Sequence, residues 1–243
     1  LNQKLSYPDG KTTITGAVTV TSITPVTGYQ TITVNAATDS QEKEAAQGYQ
    51  TNLTGFDYKK GDWKETKDGL YSNAVDKGDC FAFSKTTAKN FVYSTDVTFK
   101  RNQGAATLIF RFNNNLDNKE CYAVNIDGGS HKCKFWRWQE NSDYQLIDEK
   151  EVKATDDEKY TLKVVAYDSW ISYYVNDTLI ASTGDYTLQK DDKGQSTVLT
   201  EGSLGLLNWN GEMTFQNTYY TELNDQNTPE LKNISVSSST GDV

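Results

Sequence analysis

FVYSTDVTFKRNQGAATLIFRFNNNLDNKECYAVNID, residues 91–127, is a dense run of β-pattern. Phe91–Phe99 places apolar residues at every second position, the period of a strand buried on one face. Thr107–Phe112 (TLIFRF) and Cys121–Asp127 (CYAVNID) follow, separated by polar turns. Alternation in TLIFRF assigns Leu108, Phe110 and Phe112 to a core, and Thr107, Ile109 and Arg111 to the opposite face. Downstream, Cys133–Trp138 (CKFWRW), Tyr160–Tyr167 (YTLKVVAY) and Ile171–Val175 (ISYYV) repeat the signal. Asn176-Asp177 lies between ISYYV and TLIAS, where it fits a tight hairpin turn. Upstream, Thr12–Thr21 and Gln30–Val34 carry β-branched alternation. Residues 37–48 are polar and read as a short helix or a linker. Short strands at even spacing, with only 3 Pro to interrupt them, predict an all-β chain. The expected architecture is an antiparallel sandwich of two sheets, one of which turns a face to solvent.

Composition narrows the function. The 243 residues carry a formal net charge of -9 and a pI near 4.7, which disfavours a nucleic-acid backbone as partner. No stretch of about 18 consecutive apolar residues, the length of a spanning helix, occurs. One histidine, His131, leaves no basis for a multi-histidine zinc site or a Ser-His-Asp triad. Three cysteines, Cys80, Cys121 and Cys133, are an odd number without C-x-x-C spacing, so no essential disulfide is expected. Aromatic residues make up 12% of the chain, and planar side chains suit both sheets and sugar faces.

Glycan hydrolysis needs two carboxylates set across the scissile bond. Sandwich glycanases of the laminarinase type carry them as E-x-D-x-x-E on one strand face. The nearest match ends in Ile147-Asp148-Glu149-Lys150-Glu151, and Leu146 stands where the first Glu is required. Binding is better supplied. Arg111 interrupts an apolar strand ahead of Asn113, Asn114 and Asn115. Tyr122 opens the next strand, and Trp209 lies between Asn208 and Asn210 at a strand end. Indole and phenol faces cover the C–H patch of a sugar, and Arg, Asn and carboxylates bond its hydroxyls. Each residue also has a structural alternative: Arg111 pairing with a carboxylate, Trp209 filling the mouth of the sandwich. In Trp136-Arg137-Trp138, alternation puts both indoles on one face and Arg137 on the other. They serve either as a cover for the sheet or as a second stacking surface for a longer glycan.

GLYSNAVDKGDCFAFS (69–84), FVYSTDVTF (91–99), FRFNNNLDNKECYAVNID (110–127), LKVVAY (162–167) and LTEGSLGLLNWN (199–210), followed by FQNTYY, together resemble one family. It is the fructan-binding carbohydrate-binding modules of family sixty-six, appended to secreted levanases and fructan hydrolases. The resemblance spans roughly residues 52–224 with the order of blocks kept. It implies a concanavalin-A-like or jelly-roll sandwich without catalysis, which captures terminal fructose of levan-type polymer and holds a tethered hydrolase on it. Arg111 and Asn113 from the F-R-x-N strand end, Tyr122 from C-Y-A and Trp209 from L-L-N-W become candidate ligand contacts. Asp79 in G-D-C-F and Glu201 in T-E-G are second choices. Alternatives are a sandwich hydrolase of another glycan and a structural or adhesin module of a cell-surface protein. Expected boundaries are 1–50 for an N-terminal β-rich segment, 51–226 for the sandwich, and 227–243 for a linker or the start of a following module. The chain begins at Leu1 without an initiator Met and reads as an excised piece of a secreted or cell-surface bacterial protein, monomeric as a module. No cofactor is expected. A structural calcium would draw on Asp76, Asp79, Asp117 and Asp127, which lack a recognised calcium spacing.

Overall fold

A computed structural model describes residues 30–34, 51–101, 103–139, 143–183, 198–223 and 236–240. The expected strand at Thr12–Thr21 and the polar segment 37–48 lie outside the described residues. Seventeen strands and no helix are found among those described. In chain order they are β1 (Gln30–Val34), β2 (Thr51–Asn52), β3 (Asp57–Lys59), β4 (Asp62–Thr66), β5 (Gly69–Asn73) and β6 (Asp79–Ala88). Then come β7 (Phe91–Arg101), β8 (Ala105–Phe112), β9 (Cys121–Asp127), β10 (Lys132–Gln139), β11 (Asp143–Glu151) and β12 (Lys159–Tyr167). The last are β13 (Trp170–Val175), β14 (Thr178–Thr183), β15 (Gly202–Trp209), β16 (Glu212–Glu222) and β17 (Val236–Thr240).

The chain divides into two compact units. One joins both chain ends, and its described part is the antiparallel pair β1 and β17. Among the described residues, the segments 1–50 and 227–243 each supply one strand to a common ribbon. The other unit, residues 49–222, is a sandwich of two antiparallel sheets. The seven-stranded sheet runs β11-β10-β9-β8-β15-β6-β3, and the second runs β14-β13-β12-β7-β16-β5-β4 with β2 also on β16. The expected two-sheet antiparallel sandwich is therefore what the sequence forms.

Alternation builds the core. Phe91, Tyr93, Val97 and Phe99 of β7 pack with Leu162, Val164 and Ala166 of β12, and with Leu108, Phe110, Tyr122, Val124 and Ile126 across the sandwich. The turn between β13 and β14 holds Asn176 and Asp177 at φ 47 and 62°. Positive φ at both central residues matches the right-handed twist of the paired strands, so the expected hairpin forms. One assignment is corrected. Phe112 leaves the main core and joins Phe81, Phe83, Ile109, Cys121 and Leu207 in a second cluster on the outer face of the seven-stranded sheet. The cause is a bulge. Arg111 takes φ 53°, and the register with β15 steps from Ile109↔Gly205 to Phe112↔Ser203. Two residues of β8 then face one of β15, which turns Phe112 to the side occupied by Ile109.

Candidate functional site

The outer face of the seven-stranded sheet carries residues in transverse rows fixed by register. One row is Asp79, Trp209, Ala105 and Asp127, from β6, β15, β8 and β9. The next is Phe81, Leu207, Thr107, Asn125 and Lys134, which reaches β10. A third ends in Ala123, Trp136 and Leu146, and the last in Cys121, Trp138 and Tyr144. Short side chains in mid-sheet and large ones at its flanks leave a cleft of about 340 Å³. Trp209 stands on one side, and Trp136, Trp138 and Tyr144 on the other. Ala105, Thr107, Asn125, Leu207, Asp79 and Asp127 complete its lining.

The aromatic walls are held in place. Trp209 is 43% exposed, but its flanking amides are anchored. Asn208 is buried and donates through Nδ2 to Ser72 Oγ and to Gly211 O, each at 3.0 Å, and its Oδ1 accepts from Gly211 N. Asn210 takes φ 51° and accepts from Gly78 N at 2.9 Å. Gly104 passes beneath at φ 109°, where a Cβ would collide with Trp209 O. Only glycine permits that approach at that φ. On the far wall Trp138 meets Tyr144 edge to face, with ring centroids 5.1 Å apart.

The polar groups divide by state. Burial pushes the Asp79 carboxyl above its usual range, and Lys119 and Lys60 pull the other way without prevailing. Burial also works to raise Asp127, but hydrogen bonds from Ser130 and Lys134 outweigh it and hold the carboxyl low. Both Asp127 oxygens are engaged. Oδ1 accepts from Gly129 N and Ser130 N at 3.0 Å, and Oδ2 from Ser130 Oγ at 2.7 Å and Lys134 Nζ at 2.9 Å. Asn125 Oδ1 is buried in the cleft lining and makes no hydrogen bond. An unmet acceptor of this kind favours a ligand hydroxyl. Among the described residues no group of three or more His, Cys, Asp or Glu side chains converges as a metal site would. All three cysteines are buried thiols without a disulfide, and burial pushes Cys133 up to about 12.

Of the residues singled out from sequence, the structure brings Trp209 and Asp79 together, as direct register partners. It does not bring Arg111 to them. Arg111 lies six residues along β8 from Ala105, the partner of Trp209, which is about 20 Å at the rise of a strand. Its guanidinium is fully buried, donating to Leu199 O at 2.7 Å and Lys89 O at 2.9 Å. Burial lowers its pKa to about 10, against the pull of Tyr122 and Asp168. Tyr122 is a core residue, stacked on Phe110 at 5.6 Å with the Arg137 guanidinium 5.4 Å from its centroid. Asn113 organises the β8–β9 loop, with Nδ2 donating to Asn118 O and Oδ1 accepting from Asn115 N. Glu201 is exposed beside the start of β15, at the Arg111 end. None of these four lines the cleft. Thr107, Asn125 and Tyr144 do, and the sequence reading passed over them as ligand contacts. Alternation held the signal, since Asn125 and Asp127 are polar on one face of an otherwise apolar strand. Trp136 and Trp138 share the cleft face as alternation required.

The family model for the 3-keto-alpha-glucoside-1,2-lyase-like domain matches residues 46–220. Among curated relatives, the chain is 61% identical over 183 residues to a fructan beta-fructosidase of Streptococcus mutans, and 28% identical over 169 residues to a levanase of Bacillus subtilis. These alignments cover 75% and 70% of this chain, but the chain spans only 13% and 23% of the relatives' lengths. Among solved structures, the carbohydrate-binding module CBM66 from Bacillus subtilis superposes with a TM-score of 0.60 at 27% identity, covering 70% of this chain and 98% of that one. The resemblance to family sixty-six carried by the ordered sequence blocks is thereby borne out.

Proposed function

The chain belongs to the 3-keto-alpha-glucoside-1,2-lyase-like domain family, and from that premise we propose that its sandwich is a non-catalytic module that binds fructan. The observation that carries the reading is the exposed, braced indole of Trp209, facing a cleft whose bed offers carboxylate and amide oxygens. An indole covers the C–H face of a sugar ring, and oxygen acceptors satisfy its hydroxyls. The fructan class is supported by the names of the relatives and of the structural neighbour. In the full-length protein the module would keep a secreted fructan hydrolase on its polymer.

The cleft carboxylates support binding over hydrolysis. Asp79 and Asp127 share a row, but β15 and β8 lie between their strands. Three strand spacings amount to about 14 Å. Glycosidase carboxyl pairs stand about 5 to 9.5 Å apart, and Asp127 is already saturated by protein donors.

Titration calorimetry with levan and inulin oligosaccharides, against laminarin and mannan, tests the reading. Binding of the fructans alone is expected. Trp209→Ala should cost about 2 kcal/mol or more at an unchanged melting temperature. A parent that ignores fructan, a folded Trp209→Ala variant that binds like the parent, or release of reducing sugar from levan would each overturn it.

A further inference from the structure

We propose that Asn210-Gly211, the turn that carries the chain from β15 in one sheet to β16 in the other, is a latent deamidation site held closed by the side chain of Asn208. The inference goes beyond the carbohydrate reading and does not depend on it.

No other asparagine in the chain precedes a glycine, and that order matters chemically. Glycine has no Cβ to hinder the approach of its own amide nitrogen, which can attack the side-chain amide before it. The Gly211 nitrogen bonds to Asn210 Cγ and gives up its proton, and Asn210 Nδ2 takes that proton and leaves as ammonia. Water then opens the cyclic imide at either carbonyl. One opening leaves an aspartate at 210, and the other an isoaspartate, whose main chain is longer by one carbon. No further reactant is needed.

The fold withholds both reacting groups. Gly211 N donates to Asn208 Oδ1 at 3.0 Å, and Asn208 Nδ2 closes the ring by donating to Gly211 O at 3.0 Å. Asn208 is itself fully buried and fixed on Ser72 Oγ at 3.0 Å. The Asn210 side chain is engaged elsewhere, its Oδ1 accepting from Gly78 N at 2.9 Å. Ala74 N also donates to Gly211 O at 2.8 Å. Gly104 packs directly on this turn, since a Cβ there would collide with Asn210 C and Gly211 N. Bringing Gly211 N onto Asn210 Cγ therefore breaks several bonds together, and cyclisation has to wait for a local opening. The same packing sets the consequence. An aspartate keeps an oxygen for Gly78 N, whereas the extra main-chain carbon of isoaspartate breaks the Asn208–Gly211 ring beside Trp209.

The experiment incubates the full chain at mildly alkaline pH, well below its melting temperature, both folded and unfolded in guanidinium chloride. Digestion and mass spectrometry follow the conversion of residue 210 from amide to acid. The folded parent should convert about tenfold or more slower than the unfolded chain. Asn208→Ala takes the acceptor from Gly211 N and should recover much of the unfolded rate while still folded. Asn208→Asp keeps an acceptor oxygen there but buries a carboxyl, which costs stability. It should melt below the parent and still convert slowly, which separates the lock from a general loss of stability. Equal rates for folded and unfolded parent overturn the proposal, as does a folded Asn208→Ala variant that converts no faster than the parent. Should Asn208→Ala fail to fold, a folded Asn208→Asp variant that converts about tenfold faster than the parent overturns it as well.

Discussion

Arg111 shows how one side chain can look like a ligand contact and serve the fold. A guanidinium inside an apolar strand is unusual, because burying a charge costs several kcal/mol unless it is bonded. Here the bulge at its own φ of 53° lets it span two backbone carbonyls, Leu199 O and Lys89 O. It thereby ties the segment before β15 and the β6–β7 turn to β8. Removing it would take the donor from two partly buried carbonyls, at up to about 1–3 kcal/mol each. Arg111→Met is therefore expected to lower the melting temperature clearly, while the molecules that remain folded keep parental affinity for fructan. Calorimetric melting and titration on one preparation separate these effects. A stable Arg111→Met variant with weakened binding would return Arg111 to the ligand.

Asp96 on β7 plays the corresponding part between strands. It accepts from Thr161 Oγ1 at 2.6 Å, Asn217 Nδ2 at 2.8 Å and Lys159 Nζ at 3.2 Å, joining β7 to β12 and to β16 where β16 bulges. Burial acts to raise its pKa, but these three bonds prevail and lower it below the usual 3.8. The carboxylate form is thus favoured by folding. Its stabilisation is fully present above about pH 4 and is lost as pH falls through the depressed folded value. Asp96→Asn should cost about 1.5–3 kcal/mol at neutral pH, and the gap between variant and parent melting curves should close on acidification. A gap constant down to strongly acid pH would show that the carboxylate charge contributes nothing. Strand alternation made β7, β8, β9, β10 and β12 legible from sequence, together with the shared face of Trp136 and Trp138. It could not show the bulge at Arg111, since a single left-handed residue leaves no trace in a period of two. Nor could it show which strands become neighbours. The row Asp79, Trp209, Ala105 and Asp127 gathers residues from 22 to 130 positions apart, which only register brings together. Nor could it show that Asn208 and Asn210, which flank Trp209, bond Ser72 and Gly78 across the fold.

The charge of the whole chain bears on what the cleft can hold. A net charge of -9 repels polyanions at long range, yet the charges at the cleft are locally balanced. Lys60 and Lys119 act on Asp79, Lys134 is bonded to Asp127, and Lys119 also lies over the Phe81 ring at 5.9 Å. A neutral fructan approaching this face would displace no counterions and meet little net field, so its affinity should be carried by short-range contacts. Those contacts are insensitive to screening. Affinity for levan oligosaccharide is therefore expected to change by less than about twofold between low salt and about 1 M sodium chloride, where the Debye length is only about 3 Å. Titrations at the two salt concentrations, with melting temperature followed in parallel, make the comparison. An affinity that fell about tenfold or more with added salt would mean that the lysines meet an anionic ligand directly, and the aromatic walls would then be ordinary cover for the sheet.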